Sequence, residues 1–235
     1  MKQVRRGYHE EDAAQFSPAE CARLSRAAWE IATLMERDFP QKPAVTFVAN
    51  HYQFTERQRS ALLRITASFS AVSRRKAKQL ARLPEGGTVQ IDAFNAVVLM
   101  ETALSGGLLL KGMDGCYRDL SGLAGTYAII AATPPAIDLI FAGLKQGGAG
   151  QAVFWVDAPV SNSGRLKSEL AAGSERAGLP IDIRMVHDAD RQLIGQPCVV
   201  SGDSEVIEGC VSWYNLYADL LPMVEAPFIV ELDPH

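Results

Sequence analysis

The feature that most constrains this 235-residue chain is a change of period at Pro84-Glu85-Gly86-Gly87. Before it, apolar residues recur every three or four positions, as amphipathic helices require. After it they come as short β-branched runs alternating with helical stretches. Parallel strands need a long crossover between them, so this alternation predicts an α/β fold: a mostly parallel sheet with helices on both faces. The expected division is a helix-rich N-terminal module over residues 1–85 and an α/β domain over residues 86–235.

In the first part, Ser17-Pro18-Ala19-Glu20 reads as a helix start, with Ser as N-cap, Pro at the first helical position and Glu three residues after the Ser. Residues 44–49 (AVTFVA) are short, apolar and partly β-branched, and read as a buried strand. Thr55 with Gln58 has the capping-box pattern and opens a long helix toward Leu83, interrupted within residues 68–73. In the second part, strands are expected at residues 88–94, 152–157, 181–186, 198–201 and 228–232. Helices are expected at 95–104, 137–144, 164–177 and 215–221.

The charge divides at the same place. Residues 1–85 hold 15 Lys and Arg against 9 Asp and Glu, whereas residues 86–235 hold 8 against 18. Between Phe54 and Leu83 eight basic residues, Arg57, Arg59 and Arg64 among them, face the single acid Glu56. Such a stretch can dock phosphates through counterion release, or it can dock on the acidic domain. No apolar run is long enough to cross a membrane, and the N-terminus has no apolar segment behind its basic residues. The expected place is therefore the cytoplasm, with no membrane partner. Four scattered cysteines without a CxxC pair point to reduced thiols rather than zinc or disulfides.

Ligands of an open parallel sheet bind outside the carboxyl ends of its strands, and there the sequence is suggestive. The expected strands lead into Asp92, into Asp157 and the loop that follows it, into His187-Asp188 with Asp190, and into Ser201-Gly202-Asp203. Carboxylates gathered at one edge raise one another's pKa, a penalty that a divalent cation removes. Hard oxygen donors suit Mg²⁺ or Mn²⁺. Asp92, Asp157 and Asp203 are thus the candidate metal ligands and catalytic residues. Asn95 and Ser161-Asn162-Ser163 are candidates for holding phosphate, with Arg57 and Arg59 from the basic stretch. Each Asp is also a plausible helix cap or turn former, and Glu101 is a further catalytic candidate on the helix after Asp92. The patterns GxxxxGK[ST], GxGxxG and GxSxG are absent. Phe94 stands where a phosphatase with Asp92 as nucleophile would need its second acid.

The segments RRGYHEEDAAQFSPAE, FVANHYQFTERQRSALLRITAS, IDAFNAVVLMETALSGG and WVDAPVSNSGRL resemble a prokaryotic two-part family known as domain-of-unknown-function family four-three-four. The C-terminal half is similar to the PIN-like nuclease fold, and that pattern would fall on Asp92, Glu101, Asp157 and Asp203. The resemblance implies Mg²⁺- or Mn²⁺-dependent cleavage of RNA or another single-stranded nucleic acid. It departs from the pattern where Glu101 follows Asp92 by only nine residues, so that Asp114 or Asp119 could take its place. A module that binds nucleic acid or nucleotide without cutting it, and an assembly protein, are the alternatives.

Overall fold

The computed structural model describes residues 4–122 and 125–232. Five helices come first: α1 (Asp12–Gln15), α2 (Pro18–Met35), α3 (Gln41–Tyr52), α4 (Glu56–Ile65) and α5 (Phe69–Lys78). The expected capping box is present, since the Thr55 side chain accepts from the Gln58 N–H and Gln58 Oε1 accepts from the Thr55 N–H. The expected interruption is a clean break, where Ser68 caps α5 by accepting from the Ala71 N–H.

Residues 44–49 are not a strand but the middle of α3. Their buried members, Ala44, Val45, Val48 and Ala49, lie on one helical face, while Phe47 is 74% exposed. Pro43 falls in the first turn, where proline is tolerated, and Gln53 ends the helix in the left-handed region at φ 56°. A six-residue apolar run does not distinguish helix from strand, and packing against α2 and α4 decides it.

The α/β part runs β1 (Thr88–Asp92), α6 (Ala93–Leu104), β2 (Leu109–Lys111), β3 (Tyr117–Asp119), α7 (Thr133–Gln146), β4 (Gln151–Asp157), α8 (Ser163–Ala177), β5 (Ile181–Val186), α9 (Ala189–Leu193), β6 (Val199–Val200), α10 (Ser204–Gly209), α11 (Leu216–Leu220) and β7 (Ile229–Glu231). The four-stranded sheet has the order β5-β4-β1-β6 and is parallel throughout. Its central strands are apolar because both faces are covered, and every residue from Ala152 to Val156 is buried.

A second sheet, β3-β2-β7, claims the last expected strand. Its middle strand divides two cores. Leu109 packs with the parallel sheet, whereas Leu108 and Leu110 join Val230 and Leu232 against the N-terminal helices. Successive side chains of a strand point to opposite faces, so three consecutive leucines mark a strand buried on both sides.

The two parts meet through charge as well. Asp114 is 1% exposed and accepts bidentately from Arg118, through Nη1 at 2.8 Å and Nη2 at 2.7 Å. Arg75 of α5 adds a bond from Nη1 at 2.9 Å and turns its Nε to Glu208, which Arg74 also reaches. Lys78 donates to the Glu208 carbonyl, and the indole of Trp213 donates to the Arg75 carbonyl at 2.7 Å. Arg74, Arg75 and Lys78, the part of the basic stretch that lies on α5, therefore dock on the acidic part.

Burial alone would push the Asp114 carboxyl up, but the bonds and charges of Arg118, then Arg75, hold it at about 2. Because the folded value lies below the unfolded one, this stabilisation is present above about pH 4 and is lost as pH falls toward about 2. Asp114→Ala leaves the buried Arg118 guanidinium without its carboxylate and Arg75 with Glu208 as its only carboxylate, and is expected to cost about 3–5 kcal/mol at pH 7. In urea unfolding the gap between wild type and variant should narrow as pH drops below about 4. A constant gap would show that the ion cluster does not set it.

Candidate functional site

All four strands of the main sheet point the same way, so their carboxyl ends share one edge. At β1 the order turns, with β4, the next strand of this sheet, on one side and β6 on the other. A cavity of about 190 Å³ opens here, lined by Asp92, Asp119, Asp157, Asp190 and Asp203 together with Asn95 and Arg64.

Local backbone chemistry places each acid. Asp92 ends β1 and caps α6, its Oδ1 accepting from the Asn95 N–H at 3.1 Å, while Oδ2 accepts from the Ser201 hydroxyl. Asp157 ends β4, and its Oδ1 accepts from the Ala189 N–H at 2.8 Å, where α9 begins. Asp203 caps α10 through the N–H groups of Glu205 and Val206. Asp119 ends β3 and accepts from the Ser121 N–H. The capping roles anticipated for these residues are thus real, yet for Asp119, Asp157 and Asp203 they occupy one carboxylate oxygen and leave the other. The carboxylate of Asp190, in the first turn of α9, makes no hydrogen bond or ion pair among the described residues.

The acids load one another. Asp92 is driven to about 8 by burial first, then by the charges of Asp190 and Asp157, against the stabilising Asn95 N–H and Ser201 hydroxyl. Asp190 rises to about 6 through partial burial and then the charges of Asp203, Asp157 and Asp188. Asp157 is also raised, by burial foremost. Such shifts mark sites where charge has been gathered for chemistry more often than for stability.

The donor set is wholly of hard oxygens, which fits Mg²⁺ or Mn²⁺. Among the described residues, no three His, Cys, Asp or Glu side chains stand close enough to hold one ion together. A small divalent cation keeps several waters and needs only one or two carboxylates besides its phosphate ligand, so the donor set fits while a full cage is not built.

Asp92, Asp157, Asp203 and Asn95 thus come together, and other expected members do not. Glu101 lies nine residues along α6 from Asp92, about 13 Å by helical rise, and its side chain is fully buried. Its Oε1 accepts from the Tyr127 hydroxyl at 2.7 Å and from the Thr133 hydroxyl, while Arg6 pairs with Oε2 at 2.5 Å. It ties the N-terminal arm to α6 and α7.

The Ser161 hydroxyl bonds the backbone of Tyr127, the Asn162 amide donates to the Tyr127 carbonyl, and the Ser163 hydroxyl donates to the Ala158 carbonyl. These side chains brace a loop outside the cavity. Arg57 is held bidentately by buried Asp12, and Arg59 donates to the carbonyls of Phe54 and Ala49 at the end of α3. Neither lines the cavity.

Asp119 and Asp190, not among the expected metal ligands, also line the cavity. A three-residue strand and a five-residue helix were invisible to periodicity, though Asp190 follows a strand end by only a few residues. A larger cleft of about 510 Å³, between Val4, Leu104, Pro135 and Glu225, gathers no comparable set of titratable groups.

Residues 81–219 match the family Domain of unknown function (DUF5616), and residues 23–78 match Protein of unknown function (DUF434). A Methanocaldococcus jannaschii protein bearing the name "uncharacterized" is 29% identical over 187 residues, covering 79% of this chain and 89% of its own length. No solved structure matches. The two-part resemblance read from the sequence therefore stands, with two families of unknown function in succession.

Because the folded value of Asp190 lies above its unfolded one, its stability contribution is full below about pH 4 and is lost as pH rises through about 6. In EDTA, Asp190→Asn should match wild type near pH 4 and exceed it at pH 8. After allowance for solvent screening the gain is on the order of 1 kcal/mol, or roughly 2–4 °C in Tm for a chain of this size. Thermal unfolding at both pH values checks it, and an equal Tm at pH 8 would deny the mutual repulsion.

Proposed function

As the chain belongs to a family of unknown function, DUF5616, we propose from its own geometry that it is a divalent-metal-dependent nuclease, hydrolysing phosphodiesters of RNA or another single-stranded nucleic acid. The observation that carries this reading is the set of five aspartates around one cavity at the carboxyl edge of the parallel sheet. The similarity of the C-terminal half to PIN-like nucleases supports it, since Asp92, Asp157 and Asp203 are three of the four positions on which that pattern falls.

On this reading Asp92, Asp157 and Asp203 hold Mg²⁺ or Mn²⁺, with Asp119 and Asp190 as further donors. Bound there, the cation supplies an activated water and neutralises charge on the phosphoryl group. Asp92 must give up the proton that burial and its neighbours favour, so occupancy strengthens as pH rises through about 8. The backbone N–H groups that hold one oxygen each of Asp157 and Asp203 orient the other, sparing the site that ordering cost when it fills. The cavity is smaller than the roughly 300–1,000 Å³ that encloses a whole small ligand, so it takes the reacting phosphodiester with the flanking nucleotides outside.

The second reading, a module that binds nucleic acid without cutting it, is favoured by the lack, among the described residues, of three acids already converged on one point.

Labelled single-stranded RNA and DNA incubated with Mn²⁺, with Mg²⁺ and with EDTA separate the two. Cleavage is expected with either metal and not with EDTA. Asp157→Asn should lower it by at least about a hundredfold, with an unfolding temperature no lower than that of wild type. Metal-independent binding without cleavage would leave only the second reading.

A further inference from the structure

Every acid of the cavity belongs to the α/β part, but one lining residue does not. Arg64 comes from the last turn of α4, in the N-terminal module. That turn is fixed from several sides. Leu62 and Ile65 are buried, the Thr66 hydroxyl donates to the Leu62 carbonyl, and Gln41 donates to the carbonyls of Leu63 and Thr66. From the α/β part, the Met113 N–H donates to the Ile65 carbonyl at 3.1 Å.

Arg64 is exposed and its guanidinium makes no hydrogen bond or ion pair among the described residues, unlike those of Arg57, Arg59, Arg74 and Arg75, which are spent on internal partners. A cation in a last helical turn also complements the helix dipole, but that role does not require facing a cavity.

A second donor stands in the same cavity. Asn95 Oδ1 accepts from the Gly202 N–H at 2.7 Å and from the Tyr217 hydroxyl at 3.0 Å. The Gly202 N–H can only donate, so the amide cannot be reversed, and the two Nδ2 protons remain for the cavity. An otherwise acidic cavity thus holds one unspent guanidinium and one unspent amide.

Building on the nuclease reading, we propose that Arg64 and Asn95 hold the phosphate of the substrate, so that the site is composite and the N-terminal module contributes to substrate binding. The guanidinium fork suits the non-bridging oxygens of a phosphodiester, and a cation held by the aspartates would neutralise charge on the same group.

The test uses the full chain and a fluorescent single-stranded RNA, bound in Ca²⁺ to suppress turnover and cleaved in Mn²⁺. Arg64→Ala should raise Kd and KM about tenfold or more while kcat stays within a few-fold, and should flatten the salt dependence of binding by about one unit. Arg64→Lys should restore part of the loss. Lys42→Ala, an exposed cation of the same module outside the cavity, should change neither.

Wild-type KM and salt slope in Arg64→Ala, beside an active wild type and an inactive Asp157→Asn, overturn the inference and leave the nuclease. Binding without cleavage, weakened tenfold by Arg64→Ala, overturns the nuclease and keeps the role of Arg64. No binding and no cleavage overturn both.

Discussion

One buried carboxylate, shared by two arginines from different parts of the chain, sets most of the geometry described here. Asp114 alone would be costly in its apolar surroundings. Arg118 and Arg75 satisfy it, and Arg75 also engages Glu208. Removing Asp114 leaves the Arg118 guanidinium, and removing Arg118 leaves most of the Asp114 carboxylate, uncompensated in low dielectric, so these two are the members the cluster cannot lose. It orients α5 on the α/β part, and the neighbouring α4 then carries Arg64 to the rim of the acidic cavity.

The cavity shows the opposite economy. Five aspartates face one another with no cation lining the cavity among the described residues but Arg64; burial first, and for Asp92 and Asp190 then the neighbouring carboxylates, raise the values of Asp92, Asp157 and Asp190. Helix starts and tight turns keep them there. Each backbone N–H that a carboxylate oxygen accepts is a bond the fold needs for itself, so much of the arrangement is sustained by ordinary capping and only the remaining repulsion falls to a ligand.

The four strands of the main sheet could be read from the sequence as short runs between helical stretches; β1 and β4 end in an acid, and all four carboxyl ends share one edge. What failed did so for identifiable reasons. Residues 44–49 are too few to show a period, and their helix is chosen by the neighbours they pack on. β2 and β3 are three residues each, and the leucines around β2 lack alternation because both faces are buried. The excess of arginine suggested a phosphate-binding face, but a charge count cannot tell a free guanidinium from one pledged to Asp12 or Glu208. Glu101 had the right residue type on the right helix, but helical rise carried it to the far end.

The strand with two buried faces has a further consequence. The core of the N-terminal helices is closed by Leu108 and Leu110 and, across β2, by Val230 and Leu232 of the segment around β7. The apolar faces of α2, α3 and α4 are therefore sealed by segments far downstream in the chain. Contacts of such long sequence separation carry a high loop-closure cost, which places the completion of this core late in folding.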